Sequence, residues 1–86
     1  MKIVKIGAIW CGGCLVMNKI WESLKKNYPN IEFVAYDYDM DEEEVQKYNV
    51  GDILPVFIFY KNDIEVKRIN GEVKESILID TIEELK

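Results

Sequence analysis

Trp10-Cys11-Gly12-Gly13-Cys14 marks the point where the pattern of the sequence changes. The stretch before it, Lys2 to Ile9, is rich in isoleucine and valine, which is typical of a strand. After it, apolar side chains recur three and four residues apart, as on one face of a helix. These helix positions are Cys14, Met17, Trp21, Leu24 and Tyr28. We therefore predict a strand that leads directly into a helix, with both cysteines at the junction.

The rest of the chain alternates between strand-like and helix-like segments. We predict a strand at Ile31 to Tyr38, a short helix at Asp39 to Tyr48, strands at Val56 to Tyr60 and Ile64 to Ile69, and a helix at Val73 to Leu85. In the last helix, the pattern places Ile77, Leu78, Ile82 and Leu85 inward. Asp39 and Glu42 have the spacing of a capping box, and Asn62-Asp63 is a turn signal between two strands.

The order of elements is therefore β-α-β-α-β-β-α. A β-α-β unit needs a right-handed crossover, which makes its two strands parallel, whereas the last two strands form an antiparallel hairpin. We predict an α/β fold with a four-stranded mixed sheet flanked by three helices. A chain of 86 residues with no repeat or linker is expected to form one domain over residues 1–86.

Composition argues against several classes of function. The net charge of −5 disfavours nucleic acid and anionic membrane surfaces as partners, because both attract clustered basic residues. The apolar run from Ile53 to Tyr60 is too short to span a bilayer. Lys5 interrupts the apolar start of the chain, so we expect no signal peptide and a cytoplasmic location. We also expect a monomer.

The two cysteines carry the chemistry. A helix N-terminus presents free N–H groups and a partial positive charge, and both stabilise a thiolate over a thiol. The thiolate is the nucleophile in disulfide exchange. Cys11 lies at the helix start, whereas Cys14 begins the apolar face. We therefore expect Cys11 to attack a substrate disulfide and Cys14 to resolve the mixed disulfide.

Other interpretations of the cysteine pair are weaker. The two side chains could be incidental buried cysteines, because cysteine is often buried. A structural zinc site needs four cysteine or histidine ligands, and the chain has two cysteines and no histidine. Attached haem would need a histidine where Leu15 stands, and an iron–sulfur cluster would need two chains to pool their cysteines. We therefore assign no metal ligand.

The cysteine motif resembles the active-site motif of the thioredoxin family, whose usual form is Trp-Cys-Gly-Pro-Cys. The resemblance extends over nearly the whole chain, in a minimal version the size of a glutaredoxin, without the additional N-terminal strand and helix of thioredoxin. Ile53-Leu54-Pro55 resembles the loop with the family's cis-proline, and Gly71 falls where the family has a glycine lining the substrate groove. This resemblance implies a thioredoxin-like fold and a protein disulfide oxidoreductase that needs no cofactor.

The same resemblance implies a substrate-binding surface. It predicts a cis bond between Leu54 and Pro55, and a Leu54 backbone that pairs with an extended substrate. It also places Trp10 as a partly exposed ring on the substrate face. Gly12 and Gly13 would let the chain turn tightly and let a partner backbone approach. Together with Leu54, Pro55 and Gly71, these residues form the predicted substrate site.

Three positions depart from the family pattern. Gly13 replaces proline, and Val56 follows Pro55 where thioredoxins usually carry threonine. Lys5 stands six residues before Cys11, where thioredoxins usually have a buried aspartate that shuttles the proton of the second cysteine. Lys5 is either a lysine that reaches solvent from a half-covered strand or a cation that tunes the redox chemistry of the cysteines.

Three functions follow from this sequence. The leading prediction is a thiol–disulfide oxidoreductase that reduces protein disulfides and takes electrons from a reductase of the thioredoxin-reductase type. The first alternative is a glutathione-linked enzyme of the glutaredoxin type. Glu72, next to Gly71, argues against it because its charge opposes anionic glutathione. The second alternative is a non-catalytic binding module with the same fold.

Overall fold

The computed structural model describes all residues from Met1 to Lys86. Four strands and three helices follow one another along the chain. They are β1 (Lys2–Gly7), α1 (Gly12–Asn27), β2 (Glu32–Asp37), α2 (Glu42–Lys47), β3 (Val56–Lys61), β4 (Ile64–Asn70) and α3 (Glu75–Leu85). This is the predicted β-α-β-α-β-β-α order. None of the helices is long and apolar enough to cross a membrane.

The four strands form one mixed sheet in the order β2-β1-β3-β4. The central strand β1 pairs in parallel with β2, so that Lys5 lies beside Ala35. On its other side β1 pairs antiparallel with β3, which forms a hairpin with β4. Asn62 and Asp63 make the hairpin turn with φ values of 54° and 63°. The predicted strand directions and turn are confirmed.

Two hydrophobic clusters cover the two faces of the sheet. One contains the sheet residues Ile3, Phe57 and Phe59, the α1 residues Met17, Trp21 and Leu24, and the α3 residues Leu78 and Ile82. The other contains Val4, Ile6, Val56 and Ile58 with Val45 from α2. Successive side chains of β1 therefore point into opposite clusters, as alternation along a strand requires. Helices α1 and α3 cover one face, and α2 covers the other.

Several element ends differ from the sequence-based prediction. Strand β1 stops at Gly7 rather than Ile9, and Ile9 and Trp10 form a turn with exposed side chains. Helix α3 begins at Glu75, not Val73, and Ile77 is 45% exposed rather than inward. Thr81 is buried in this helix and donates a hydrogen bond to the Ile77 carbonyl, which satisfies its hydroxyl.

The predicted capping box of α2 is wrong. This helix begins at Glu42, and Asp41 occupies the capping position without a side-chain capping bond. The Asp41 carboxylate instead accepts a hydrogen bond from the Asp37 backbone N–H, and the Asp37 carboxylate accepts bonds from the N–H groups of Asp39 and Met40. The aspartates therefore stabilise the turn between β2 and α2, because short acidic side chains readily bond to nearby backbone.

Candidate active site

Cys11 lies at the N-terminus of α1, in the gap between that helix and the end of β1. It is the capping residue of α1, with extended backbone (φ −88°, ψ 112°), and its Sγ accepts a hydrogen bond of 3.2 Å from the Cys14 N–H. No acidic residue occupies the first turn of α1. The free N–H groups of this turn and the helix dipole therefore favour negative charge at the Cys11 sulfur.

Cys14 lies deeper in the same junction. Its exposed fraction is 5%, against 9% for Cys11, so both sulfurs are buried and the difference in exposure is small. Burial, followed by hydrogen bonding to Cys11, raises the pKa of the Cys14 thiol from 9.0 to about 11. Cys14 is therefore a protonated thiol at neutral pH. Neither cysteine is in a disulfide in this structure.

Gly7, the last residue of β1, makes room for Cys14. A Cβ atom built on Gly7 would lie 3.1 Å from the Cys14 Sγ and 3.3 Å from its Cβ. These distances are shorter than ordinary van der Waals contact, so a side chain at this position would force the Cys14 side chain to shift. Gly7 therefore sets how closely the Cys14 side chain packs against the end of β1.

Lys5 lies on the face of β1 that α1 covers, and it does not extend into solvent. Its exposed fraction is 9%, and its Nζ donates a hydrogen bond of 3.0 Å to the Asn18 Oδ1. The ammonium group also lies 5.1 Å from the centroid of the Trp21 ring, within the range of a cation–π contact. Burial lowers the pKa of Lys5 from 10.5, and attraction to Cys14 opposes this shift.

The loop before β3 contains the predicted cis-proline. The Leu54–Pro55 peptide bond is cis, which confirms that prediction. Leu54 packs against the small cluster of Ala8, Cys11 and Cys14. Its backbone N–H and carbonyl make no hydrogen bond within the protein. The Pro55 carbonyl accepts a bond of 2.7 Å from Gly71, whose φ of +95° favours glycine.

Gly12 and Gly13 do not form the tight turn predicted from the sequence. Both are helical residues in the first turn of α1, and neither has a positive φ. Their surroundings differ, because a Cβ on Gly12 would meet no atom within 4 Å. A Cβ on Gly13 would lie 3.2 Å from the Glu72 Oε1 and 3.7 Å from the Pro55 Cδ. Gly13 therefore allows the Glu72 side chain to lie across the helix N-terminus.

Trp10 is largely exposed beside the cysteines, as expected. The residue is 65% exposed, and its Nε1 donates a hydrogen bond of 2.6 Å to the Asp39 carboxylate. The ring also meets the Tyr38 ring edge-on, with centroids 6.4 Å apart. The turn after β2 thus holds the indole in place at the surface.

The structure brings the predicted site residues to one end of the molecule and adds others. Gly7, Asn18, Asp39 and Glu72 were not predicted as site residues. Asn18 had a signal in the sequence, because it lies four residues after Cys14 and hence on the same helix face. Glu72 had one as the charged neighbour of Gly71. The contacts of Gly7, Asp39 and Glu72 depend on elements distant in sequence. No group of three or more His, Cys, Asp or Glu side chains is arranged to hold a metal ion.

Known proteins are similar to this chain in sequence. The family model described as thioredoxin matches residues 1–84. The chain is 32% identical over 75 residues to a thioredoxin from Ophiophagus hannah, a match that covers 87% of this chain and 70% of that protein. Thioredoxin H5 from Oryza sativa subsp. japonica is 36% identical over 75 residues, covering 87% of this chain but only 55% of its own length.

Solved thioredoxin structures are similar to this chain in fold. The X-ray structure of Fasciola hepatica thioredoxin superimposes with a TM-score of 0.90 and 38% sequence identity. The match covers 99% of this chain and 80% of that chain. The likeness therefore includes the whole sheet and all three helices.

Proposed function

Since this chain belongs to the thioredoxin family, we propose that it reduces disulfide bonds in other proteins by dithiol exchange through Cys11 and Cys14. The family and the fold, with two cysteines close together, support a thiol–disulfide oxidoreductase. The observation that supports this mechanism is that the two sulfurs have different surroundings. Cys11 accepts an N–H bond at a helix N-terminus, whereas burial keeps Cys14 protonated.

The reaction has two steps. The Cys11 thiolate attacks one sulfur of the substrate disulfide, that disulfide breaks, and one substrate thiolate leaves and takes up a proton. The Cys14 thiol then loses its proton and attacks the Cys11 sulfur. The mixed disulfide breaks and releases the second substrate thiolate. The substrate gains two electrons, and the protein ends with a disulfide between Cys11 and Cys14.

The surface around the cysteines supports an extended protein segment as the substrate. The unpaired Leu54 backbone offers one donor and one acceptor next to Cys11, which is what an added strand needs. Ile9, Trp10 and Leu15 adjoin the cysteines and are 80%, 65% and 60% exposed, so they provide apolar contact area. We propose that the protein acts as a monomer on such segments.

A reductase protein is the electron donor that we propose, rather than glutathione. The Glu72 carboxylate lies against Gly13 in the first turn of α1, two residues after the attacking cysteine in the chain. Glutathione carries net negative charge, so this carboxylate opposes its approach. We also propose that the protein works in the cytoplasm, where reductases keep such cysteines in the dithiol form.

An insulin-reduction assay tests the proposal. We expect turnover with NADPH and a thioredoxin reductase, and little turnover with glutathione and glutathione reductase as the electron source. Cys11→Ser should abolish turnover. Cys14→Ser should accumulate a mixed disulfide with insulin that mass spectrometry detects at Cys11, because the first step proceeds without the second.

Two results would contradict the proposal. Faster turnover with glutathione would favour the glutaredoxin-type alternative. Absence of turnover with either donor, together with a Cys14→Ser variant that traps no substrate, would favour a non-catalytic binding module. Lys26→Ala is a suitable control for general damage, because Lys26 is exposed in the last turn of α1, at the opposite end of the helix from the cysteines.

A further inference from the structure

Lys5 is a buried charged residue that has no role in the two steps described above. The only hydrogen bond of its Nζ goes to the neutral Asn18 side chain, and it takes part in none of the ion pairs of the protein. Removing an ammonium group from water is costly, and here an amide and the Trp21 ring compensate rather than a carboxylate. Its positive charge is therefore available to a neighbouring group.

That neighbour is Cys14. Lys5 and Gly7 are two residues apart on β1 and share one face of the strand, whereas Cys14 and Asn18 are four apart on α1 and share one face of the helix. Gly7 lies against the Cys14 sulfur, and Lys5 is bonded to Asn18. The pair Lys5–Asn18 is therefore adjacent to the pair Gly7–Cys14 in the interface between β1 and α1. Both side chains line one cleft that is open to solvent.

Lys5 is the positively charged group whose attraction lowers the pKa of Cys14. Attraction to Lys5 works against the burial that raises the Cys14 pKa, and attraction to Cys14 works against the burial that lowers the Lys5 pKa. On α1, Glu22 and Lys25 act on Lys5 with opposite signs. Other groups that can ionise also face the cleft or Cys14. These are Tyr36, Asp37 and Asp41 along the cleft and Cys11 above it.

We propose that Lys5, positioned by Asn18, promotes the second step of the exchange, in which Cys14 attacks the mixed disulfide, and is not needed for the first. This inference rests on the proposed dithiol exchange. Once Cys11 is bound to substrate, the Cys14 thiol must release its proton, which passes to solvent in the open cleft. The Lys5 ammonium stabilises the thiolate left behind. Cys14 then bonds to Cys11, and the substrate thiolate departs.

The first step has its own source of stabilisation. The Cys11 sulfur accepts the Cys14 N–H bond and lies at the N-terminal end of the helix dipole. Loss of Lys5 should therefore separate the two steps. This separation is the signature that a purely structural role of the lysine would not produce.

A single-turnover experiment measures both steps. The probe is 5,5′-dithiobis(2-nitrobenzoic acid), a symmetric disulfide whose two thiolate products are coloured, used with the reduced protein in slight excess. The first release reports the attack by Cys11, and the second reports the attack by Cys14. In Lys5→Met we expect the second release to slow about three- to tenfold, as for a Cys14 pKa raised by about one unit, and the first to change less than twofold.

Two further variants make the experiment decisive. Lys5→Gln removes the charge but keeps a polar side chain near Asn18, so it serves if Lys5→Met does not fold. Lys19→Met is the matched control, because it removes an exposed lysine from α1, the helix that carries Cys14 and Asn18. Alkylation of Cys14 by iodoacetamide in a Cys11→Ser background should slow about three- to tenfold when Lys5 is replaced, but not when Lys19 is replaced.

Each outcome has one meaning. An unchanged second release in a folded Lys5 variant, or equal slowing of both releases, overturns the role of Lys5 and leaves the dithiol exchange intact. Absence of the first release from the unaltered protein overturns the proposed function itself. Slowing of the second release by Lys19→Met to the same extent would show a general effect of charge and would also overturn the inference.

Discussion

At the scale of single residues, two glycines differ in the space around them. Gly7 faces the Cys14 sulfur across the contact between β1 and α1, whereas Gly12 faces open space at the helix start. The absence of a Cβ is useful where another side chain packs against the backbone, as the Cys14 side chain does at Gly7, and it is only an entropic cost elsewhere. The redox site therefore depends on a glycine outside the cysteine motif.

We predict that Gly7→Ala lowers the free energy of unfolding by about 1–3 kcal/mol, because the added methyl group overpacks the Cys14 sulfur. Gly12→Ala, the matched control, should change it by less than about 1 kcal/mol, with stabilisation expected from the better helix former. Urea denaturation of the reduced proteins measures both. Equal effects of the two substitutions would mean that the close contact with Cys14 has no energetic consequence.

At the scale of elements, α1 connects the core to the chemistry. Its buried side holds Met17, Trp21 and Leu24 against the sheet, and its N-terminus holds the two cysteines. Lys25 and Lys26 lie in its last turn, where positive charge complements the helix dipole. The helix thus fixes the position of its N-terminal donors through packing that lies about one to three turns away.

We predict that Leu24→Ala costs about 2–5 kcal/mol of unfolding free energy, because this side chain is 1% exposed and its removal leaves a cavity. The same substitution at Leu15, which is 60% exposed on the same helix, should cost less than about 1 kcal/mol. Guanidinium denaturation compares the two variants. A small loss for Leu24→Ala would indicate that α1 is not held by the core cluster.

At the scale of the whole molecule, several groups link stability to alkaline pH. Burial raises the pKa of Cys14 to about 11 from 9.0, and it also raises the pKa of Tyr36 and Tyr60 above 10.0. Such groups keep their protons in the folded state after the unfolded chain has lost them, so their stabilisation disappears as pH rises through the folded-state pKa. The lowered pKa of Lys5 has the opposite sign below pH 10.5.

We predict that the free energy of unfolding of the reduced protein falls between pH 9 and pH 11. Urea denaturation at pH 8, 9, 10 and 11 in the presence of a reductant measures this loss. Cys14→Ala should reduce the loss over this interval relative to the unaltered protein, whatever its effect at pH 8. A loss of the same size in Cys14→Ala would show that Cys14 does not contribute to it.

The sequence by itself singled out Cys11 and Cys14 as the candidate redox pair, and it determined the order of the seven elements and most of the core. These features depend on residues that are close in sequence. Side chains on one face recur every two residues in a strand and about every 3.6 in a helix, and a turn requires particular residues at one place. For this reason the hairpin at Asn62-Asp63 and the buried faces of α1 and β3 were predictable. The cis bond at Pro55 was predictable only through the resemblance of its loop to a known family.

Only the tertiary structure decided what surrounds the two sulfurs. It placed β1 at the centre of the sheet, Gly7 against Cys14, Glu72 against Gly13, and Lys5 inside the fold on Asn18. Each of these contacts joins elements that are separate in sequence, so no local period encodes it. Whether a lysine on a strand reaches water depends on the helix that packs over it, and here α1 covers Lys5, whose ammonium bonds to Asn18 in the cleft that Cys14 also lines.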